Sequence, residues 1–292
     1  MAYAELLRLQ GKNAIAGSSA RPNSSVPGLL RDLKIDFCYE YSPAKGDQFV
    51  LVDISESQHF DSIVDHDNIL EIIDHHPDFI EYWQTKPEVK AEIEFIGAAC
   101  TLVYERWADS GLAAKISYES ALLLACGILD NTLNLRAQVT TDRDRQAYEE
   151  LCKSVKLPEN LPEIYFEGCQ KLIQKDLRDT ILNDTKPVLY PSRSADEPVF
   201  AGQIAIWSAR EMLQNSGRQI GEILGERGLP WYANIISIED GKSHFLCTDK
   251  HLQNWLTELL GVKFAGDQAT ADRMWLRKEI MQQDLTRREA KV

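Results

Sequence analysis

Two apolar stretches in the first third of the chain each end in an aspartate. Residues 48–53 have the sequence QFVLVD, and residues 67–74 have the sequence DNILEIID. Such compact, mostly apolar runs are typical of buried strands in a parallel sheet. Ligands bind at the carboxyl ends of parallel strands, where the carboxylates of Asp53 and Asp74 would suit a hard divalent cation. One strand-ending aspartate more often caps a turn, but two of them favour a metal site.

Two histidines follow the second of these strands directly. His75 and His76 lie between Asp74 and Pro77. Because neighbouring side chains after a strand point to different sides, one histidine can bind a metal while the other faces a substrate. The Asp74 carboxylate can fix the tautomer of an imidazole. Imidazole beside carboxylate moves the metal preference toward Mn²⁺, Co²⁺ or Zn²⁺. The alternative interpretation is a pair of surface histidines in a turn.

The composition limits the classes of partner. The chain has 292 residues, of which 44% are hydrophobic and 26% charged, and this suits two soluble globular domains. Its net charge of −13 argues against a nucleic-acid partner but not against a small anionic substrate. Because no apolar run reaches about 18 residues and no signal-peptide pattern begins the chain, we expect no membrane partner and a cytoplasmic location. The six cysteines show no CxxC spacing, which predicts free thiols.

The pattern of apolar residues predicts an α/β fold with two domains. We expect a metal-binding domain over residues 1–157, with a parallel sheet and flanking helices, and a smaller C-terminal α/β domain over residues 168–292. A linker is expected near 156–168. The other elements predicted in the first domain are helices at 2–11, 97–107, 117–131 and 141–155 and a short strand at 13–16. Those in the second are a helix at 172–183 and strands at 198–207 and 231–238.

The order of motifs resembles the DHH phosphoesterases, in particular the family II, manganese-dependent inorganic pyrophosphatases and the related exopolyphosphatases. A strand ends in Asp53, and the sequence IIDHHP follows about twenty residues later. The segment from Gly97 to Thr101 resembles the start of a helix in that family. The sequence ACGILDNT at 125–132 resembles the segment whose aspartate ligates a metal, and TTDRD follows at 140–144.

This resemblance implies a role for each motif residue. Asp53, His75 and Asp130 are expected to ligate the metal, which is Mn²⁺ with Mg²⁺ or Co²⁺ as alternatives. His76 is expected to be catalytic and to contact the substrate phosphate, and Asp74 to support both histidines in catalysis. Asp130 lies in an apolar helical segment, where an unpaired buried carboxylate would cost several kcal/mol. A metal would remove that cost, which favours Asp130 as a ligand.

The C-terminal half resembles the second domain of the same branch. Lys186 matches the position of a phosphate-binding lysine, and Arg277 and Lys278 match an element that grips a terminal phosphate. Arginine suits that role because its guanidinium can form two parallel hydrogen bonds with phosphate. Leu276 stands where the family has a serine. The alternative for this element is a basic patch on a solvated last helix.

The chain also departs from the family pattern. It has no His-x-Asn-Pro-Asp-x-Asp motif, which supplies three further ligands, and its first helix resembles the one that follows that motif. Either a longer enzyme has been truncated or a natural relative has lost part of a two-metal site. In addition, Ile54 follows Asp53 where pyrophosphatases have a histidine, which leaves an exopolyphosphatase open.

The expected function is metal-dependent hydrolysis of phosphoanhydride bonds in inorganic pyrophosphate or short polyphosphate, impaired by the missing motif. Two alternatives remain: a catalytically decayed binding or scaffold protein, and a phosphodiesterase acting on a small nucleotide. The sequence is also compatible with a homodimer.

Overall fold

The structure, a computed structural model, describes residues 1–20, 26–193 and 197–289. It divides into two compact units, Met1–Pro162 and Glu163–Val292. The division lies within the stretch where a linker is expected. Part of that stretch is helical, because a helix begins at Leu161 and its next residue is a proline, which is tolerated in a first turn.

The described residues of the first unit form two small parallel sheets and six α-helices. Strands β1 (Gly17–Ser18) and β2 (Cys38–Tyr39) pair with each other, and β3 (Phe49–Val52), β4 (Ile69–Asp74) and β5 (Lys90–Ile93) form a three-stranded parallel sheet in that order. The helices are α1 (Ala2–Leu9), α2 (Gly28–Arg31), α3 (Ile80–Gln84), α4 (Ala99–Asp109), α5 (Tyr118–Asn131) and α6 (Asp142–Val155).

The central strand and the helices that follow the sheet form the core of this unit. Ile72 and Ile73 of β4 are fully buried, as is Trp107 of α4. Helix α4 packs on β4, and α5 packs against both α4 and α6. Both later helices begin as their sequences predict, because the side chains of Ser117 and Thr141 accept hydrogen bonds from backbone N–H groups of the first turn.

In the second unit, the described residues are arranged around one mixed sheet of six strands. Its helices are α7 (Leu161–Lys175), α8 (Leu177–Asp184), α9 (Ala209–Gly225), α10 (Lys250–Leu260) and α11 (Arg277–Glu289). Its strands are β6 (Thr185–Val188), β7 (Val199–Ile206), β8 (Trp231–Ser237), β9 (Lys242–Leu246), β10 (Phe264–Ala265) and β11 (Gln268–Thr270). The sheet order is β10-β11-β9-β8-β7-β6, with only β7 and β8 paired in parallel.

The predicted fold class is confirmed: a parallel sheet with flanking helices is joined to a separate α/β unit. The strand expected at 13–16 is wrong, because the first strand there is β1. The helix expected at 172–183 is two helices, separated at Asp176, whose φ of −129° is not helical. All six cysteines lie among the described residues, and none of them forms a disulfide bond. Among the described helices, none has the length and apolar character that crossing a membrane requires.

Candidate metal centre

The two strand-ending aspartates lie side by side. Strands β3 and β4 are parallel, with Val52 opposite Ile73, and the backbone N–H of Asp53 donates to the carbonyl of Ile73 at 2.8 Å. Asp53 has a left-handed backbone, with φ of +68°. Aspartate tolerates this conformation better than most residues, and such backbones cluster at functional sites. The left-handed turn ends the strand and leaves the Asp53 side chain about half exposed, at 52%.

The Asp74 carboxylate is fully buried and organises the residues after it. Its Oδ1 accepts hydrogen bonds from the backbone N–H of His75 at 2.7 Å and from Nδ1 of His76 at 2.8 Å. Burial opposes ionisation of Asp74, but these donors and the nearby Ser55 hydroxyl outweigh it, so its pKa lies below the ordinary value. Asp74 is therefore an ionised support for both histidines.

The two histidines are held in different ways. Nδ1 of His75 lies 3.2 Å from the carbonyl oxygen of Ile96. Because a carbonyl only accepts, Nδ1 of His75 carries a proton, and in the neutral imidazole Nε2 then has the lone pair. The His76 ring is held through Nδ1 by Asp74, and its side chain is 59% exposed. His75 thus offers a buried lone pair, whereas the exposed His76 ring can meet a ligand from solvent.

The geometry around His75 fits a divalent metal. Its Nε2 is buried without a hydrogen-bond partner among the described residues, yet lies 3.3 Å from Oδ1 of Asp53. For an ion about 2.1 Å from both atoms, the angle at the ion between Nε2 and Oδ1 would be roughly 100°. Ligand–metal–ligand angles in tetrahedral and octahedral sites are both close to this value. One ligand atom from each of Asp53, Asp74, His75 and His76 lies within 4.8 Å of the others.

Asp130 is placed differently from the other predicted ligands. It is near the C-terminus of α5 and exposed, so the argument that a metal must relieve its burial is wrong. It does not belong to the group of four. Burial raises the pKa of the Cys100 thiol to about 12, and the carboxylates of Asp53 and Asp130 both add to the rise. A Cβ on Gly127 would lie 2.4 Å from Cys100 Sγ, so glycine allows α5 to approach α4.

The roles of three residues around the site are not predicted by the sequence. The carbonyl of Ile96 orients His75, and the following Gly97 donates its N–H to the buried Asp144. Asp144 is the third residue of α6 and completes a capping box with Thr141. The spacing Thr-x-x-Asp was the available indication, since it resembles the capping-box pattern. The contact with Gly97 spans 47 residues and has no local sequence pattern.

In the second unit, two of the predicted phosphate-binding cations lie around Asp184. The Arg277 guanidinium donates to the carbonyls of Asp184 and Ala201 at 2.8 and 2.9 Å. Partial burial raises the pKa of the Asp184 carboxyl, and the charges of Arg277 and Lys186 counteract part of that effect. Lys186 and Lys278 are exposed. Helix α11 is not simply solvated, because Ile280 and Asp284 are fully buried.

Comparison with known proteins connects the chain to one group of enzymes. A manganese-dependent inorganic pyrophosphatase of Methanothrix thermoacetophila is 32% identical over 153 residues, which are 52% of this chain and 48% of that protein. A Bacillus pumilus protein assigned as a manganese-dependent inorganic pyrophosphatase is 26% identical over 244 residues, 81% of this chain and 76% of that protein. The chain spans about half the length of the first relatives it matches. No protein-family model matches the chain.

The fold has a counterpart among solved structures. A Methanococcus jannaschii protein assigned to the family II inorganic pyrophosphatases superposes with a TM-score of 0.60 at 17% identity, covering 97% of this chain and 95% of that chain. At this identity the likeness concerns the fold alone. Together with the sequence relatives, it confirms the resemblance to the family II branch that the DHH motif indicated.

Proposed function

We propose that this chain hydrolyses phosphoanhydride bonds in pyrophosphate or short polyphosphate. In sequence and fold it is a relative of the DHH-type branch that contains the family II, manganese-dependent inorganic pyrophosphatases. The observation that carries the proposal is the oriented lone pair of His75 beside the Asp53 carboxylate. A buried imidazole nitrogen without a partner is costly, and a metal ion is the ligand that suits both donor atoms.

The residues divide into metal ligands and groups that face the substrate. Asp53 and His75 would hold Mn²⁺, with Asp130 as a proposed further ligand. When bound, the metal supplies Lewis acidity that activates a water and neutralises phosphoryl charge. Asp74 holds the ring of His76 through Nδ1, and the side chain is 59% exposed, so Nε2 is the ring nitrogen that would exchange a proton or a hydrogen bond with a phosphate oxygen.

The basic residues of the second unit complete the proposal. Arg277 is anchored by two carbonyls, which fixes the plane of its guanidinium while leaving other N–H groups for a ligand. Lys186 acts on the same carboxyl, Asp184. We assign Lys186, Arg277 and Lys278 to binding of the anionic substrate, as three cations that offset its charge.

The test is Mn²⁺-dependent phosphate release by the purified chain. We expect release from pyrophosphate or tripolyphosphate, and a loss of at least about 100-fold in His76→Gln, within the usual contribution of acid–base groups. His59→Gln is the matched control, since that side chain is 70% exposed and pairs only with Glu56 in the described structure. Mn²⁺ binding without phosphate release would favour the decayed binding protein, and cleavage of a dinucleotide alone would favour the phosphodiesterase.

A further inference from the structure

One peptide group connects a buried carboxylate with the candidate metal ligand His75. Oδ2 of Asp144 accepts a hydrogen bond from the Gly97 N–H at 3.1 Å. The carbonyl of Ile96 accepts a hydrogen bond from Nδ1 of His75, at 3.2 Å. The Gly97 N–H and the Ile96 carbonyl belong to the same peptide bond. Asp144 and His75 are therefore joined through one planar unit whose N–H and C=O point in opposite directions.

We propose that Asp144 is a positioning residue for the metal site, acting on His75 through the Ile96–Gly97 peptide. The inference rests on the proposed function, because it assumes that Nε2 of His75 binds the metal. The Asp144 carboxylate fixes the peptide plane and polarises it, which makes the Ile96 carbonyl a stronger acceptor. That carbonyl holds the His75 ring and its Nδ1–H tautomer, so the Nε2 lone pair faces Asp53.

Asp144 is itself held rigidly. Its side chain is fully buried, and Oδ1 accepts from the Thr101 hydroxyl at 2.6 Å. Oδ2 accepts from the backbone N–H and the hydroxyl of Thr141, both at 2.7 Å. The carboxylate also lies in the first turn of α6, where the helix dipole favours negative charge. No cation forms an ion pair with it among the described residues, so its charge rests on these donors.

The contact with Gly97 depends on glycine. A Cβ at this position would lie 2.6 Å from Oδ2 of Asp144 and 2.7 Å from Cγ2 of Thr132. Any other residue would push the peptide away from Asp144. The hydrogen bond from Gly97 to Asp144 therefore requires glycine at this position.

Histidine ligands in metal sites commonly donate their second ring N–H to a carboxylate or a backbone carbonyl. In this chain the two arrangements are combined: His75 donates to the carbonyl of Ile96, and the carboxylate of Asp144 accepts from the N–H of the same peptide group. Loss of such supporting partners typically weakens metal binding by about 10–100-fold. We expect a change of that size when the Asp144 carboxylate is replaced.

The experiment is Mn²⁺ titration followed by electron paramagnetic resonance in wild type, Asp144→Asn, His75→Gln and the double variant. Asp142→Asn is the matched control, because it makes the same chemical change at an exposed position in the first turn of the same helix. We expect Asp144→Asn to raise the Mn²⁺ Kd by about 10–100-fold and Asp142→Asn to leave it within about twofold. Asp144→Asn should add nothing in the His75→Gln background, because both changes act on one ligand.

The outcomes separate this inference from the proposed function. If His75→Gln leaves Mn²⁺ binding unchanged, the ligand assignment fails, and with it both proposals. If His75→Gln weakens binding while Asp144→Asn does not, or if the two effects multiply, only the role of Asp144 is overturned. Nitrogen-15 NMR of histidine in the metal-free wild type needs no variant to fold. It should show the Nδ1–H tautomer at His75, and the Nε2–H tautomer would refute the inference.

Discussion

Nε2 of His75 lies 3.3 Å from Oδ1 of Asp53, although the two residues come from different strand ends. Parallel pairing of β3 with β4 sets this distance, because it places Asp53 beside the start of the DHH segment. The carbonyl of Ile96, after β5, sets the direction of the ring. The positions of the two proposed metal-binding atoms are thus set by the segments at the ends of β3, β4 and β5.

His76 should affect catalysis but not metal binding. We expect His76→Gln to lower kcat for pyrophosphate by about 100-fold while the Mn²⁺ Kd stays within about threefold. The physical reason is that Asp74 already holds Nδ1 of His76, while Asp53 and His75 are the proposed metal ligands, although the rings of His75 and His76 lie side by side, with centroids 4.3 Å apart. Steady-state kinetics and Mn²⁺ titration on the same samples make the comparison. A parallel loss of Mn²⁺ binding would place His76 among the ligands instead.

Gly97 should tolerate no side chain. We expect Gly97→Ala to destabilise the first unit by about 1–3 kcal/mol through overpacking against Asp144 and Thr132. Gly28→Ala is a suitable control, since its nearest contact would be an ordinary 3.8 Å. Urea unfolding measures both variants. Equal stabilities of the two variants would show that the peptide can move away from Asp144 at little cost.

The acid sensitivity of the first unit should depend partly on Glu71. Burial opposes its ionisation, but hydrogen bonds from Lys90 and Tyr3 and the charge of Arg106 outweigh burial and lower its pKa. A depressed folded-state pKa contributes stability that is complete above the ordinary value of 4.5 and is lost as pH falls through the lower folded value. Glu71→Gln should therefore reduce stability at pH 7 by about 1–3 kcal/mol.

The measurement for Glu71 is urea unfolding between about pH 3 and 7. The variant should lose part of the fall in unfolding free energy that wild type shows below pH 4.5. Glu81→Gln, at an exposed position in α3, should keep the wild-type slope. An unchanged slope in Glu71→Gln would mean that other carboxylates account for the acid sensitivity.

Arg277 should act through the planar shape of its guanidinium as well as its charge. Arg277→Lys removes the hydrogen bonds to the carbonyls of Asp184 and Ala201 but keeps a positive charge. We expect the KM for pyrophosphate to rise about tenfold with no change in the Mn²⁺ Kd. Arg218→Gln removes an exposed ion pair with Glu222 and serves as the control. A KM that is unchanged in Arg277→Lys would remove Arg277 from the substrate-binding residues.

The sequence predicts the strand ends well because their determinants are local. The runs before Asp53 and Asp74 are short and mostly apolar, and α5 and α6 follow Ser117 and Thr141, which are common N-cap residues. Strand β5 was missed because its sequence, KAEI, is polar and lacks a buried residue. The exposure of Asp130 was also mispredicted, since one side of the last turn of α5 reaches solvent while Ile128 and Leu129 in the same turn are fully buried.

What the sequence does not predict are contacts between distant segments. The role of the Ile96 carbonyl cannot be predicted from a sequence motif, because every residue has a backbone carbonyl. Asp144 was noticed only as part of the segment after Asp130, and its contact with Gly97 depends on how α6 packs near the start of α4. Contacts that support a metal ligand from a distant segment depend on tertiary packing, and local sequence patterns do not predict them.

Manganese binding tests the central claim most directly. Electron paramagnetic resonance of the purified chain titrated with Mn²⁺ should show at least one bound ion, lost or weakened at least tenfold in both Asp53→Asn and His75→Gln. Asp36→Asn and His59→Gln, at side chains 88% and 70% exposed, should bind as wild type does. If all five proteins bind Mn²⁺ equally, or none binds it, the Asp53–His75 pair is not a metal site and the proposed function is wrong.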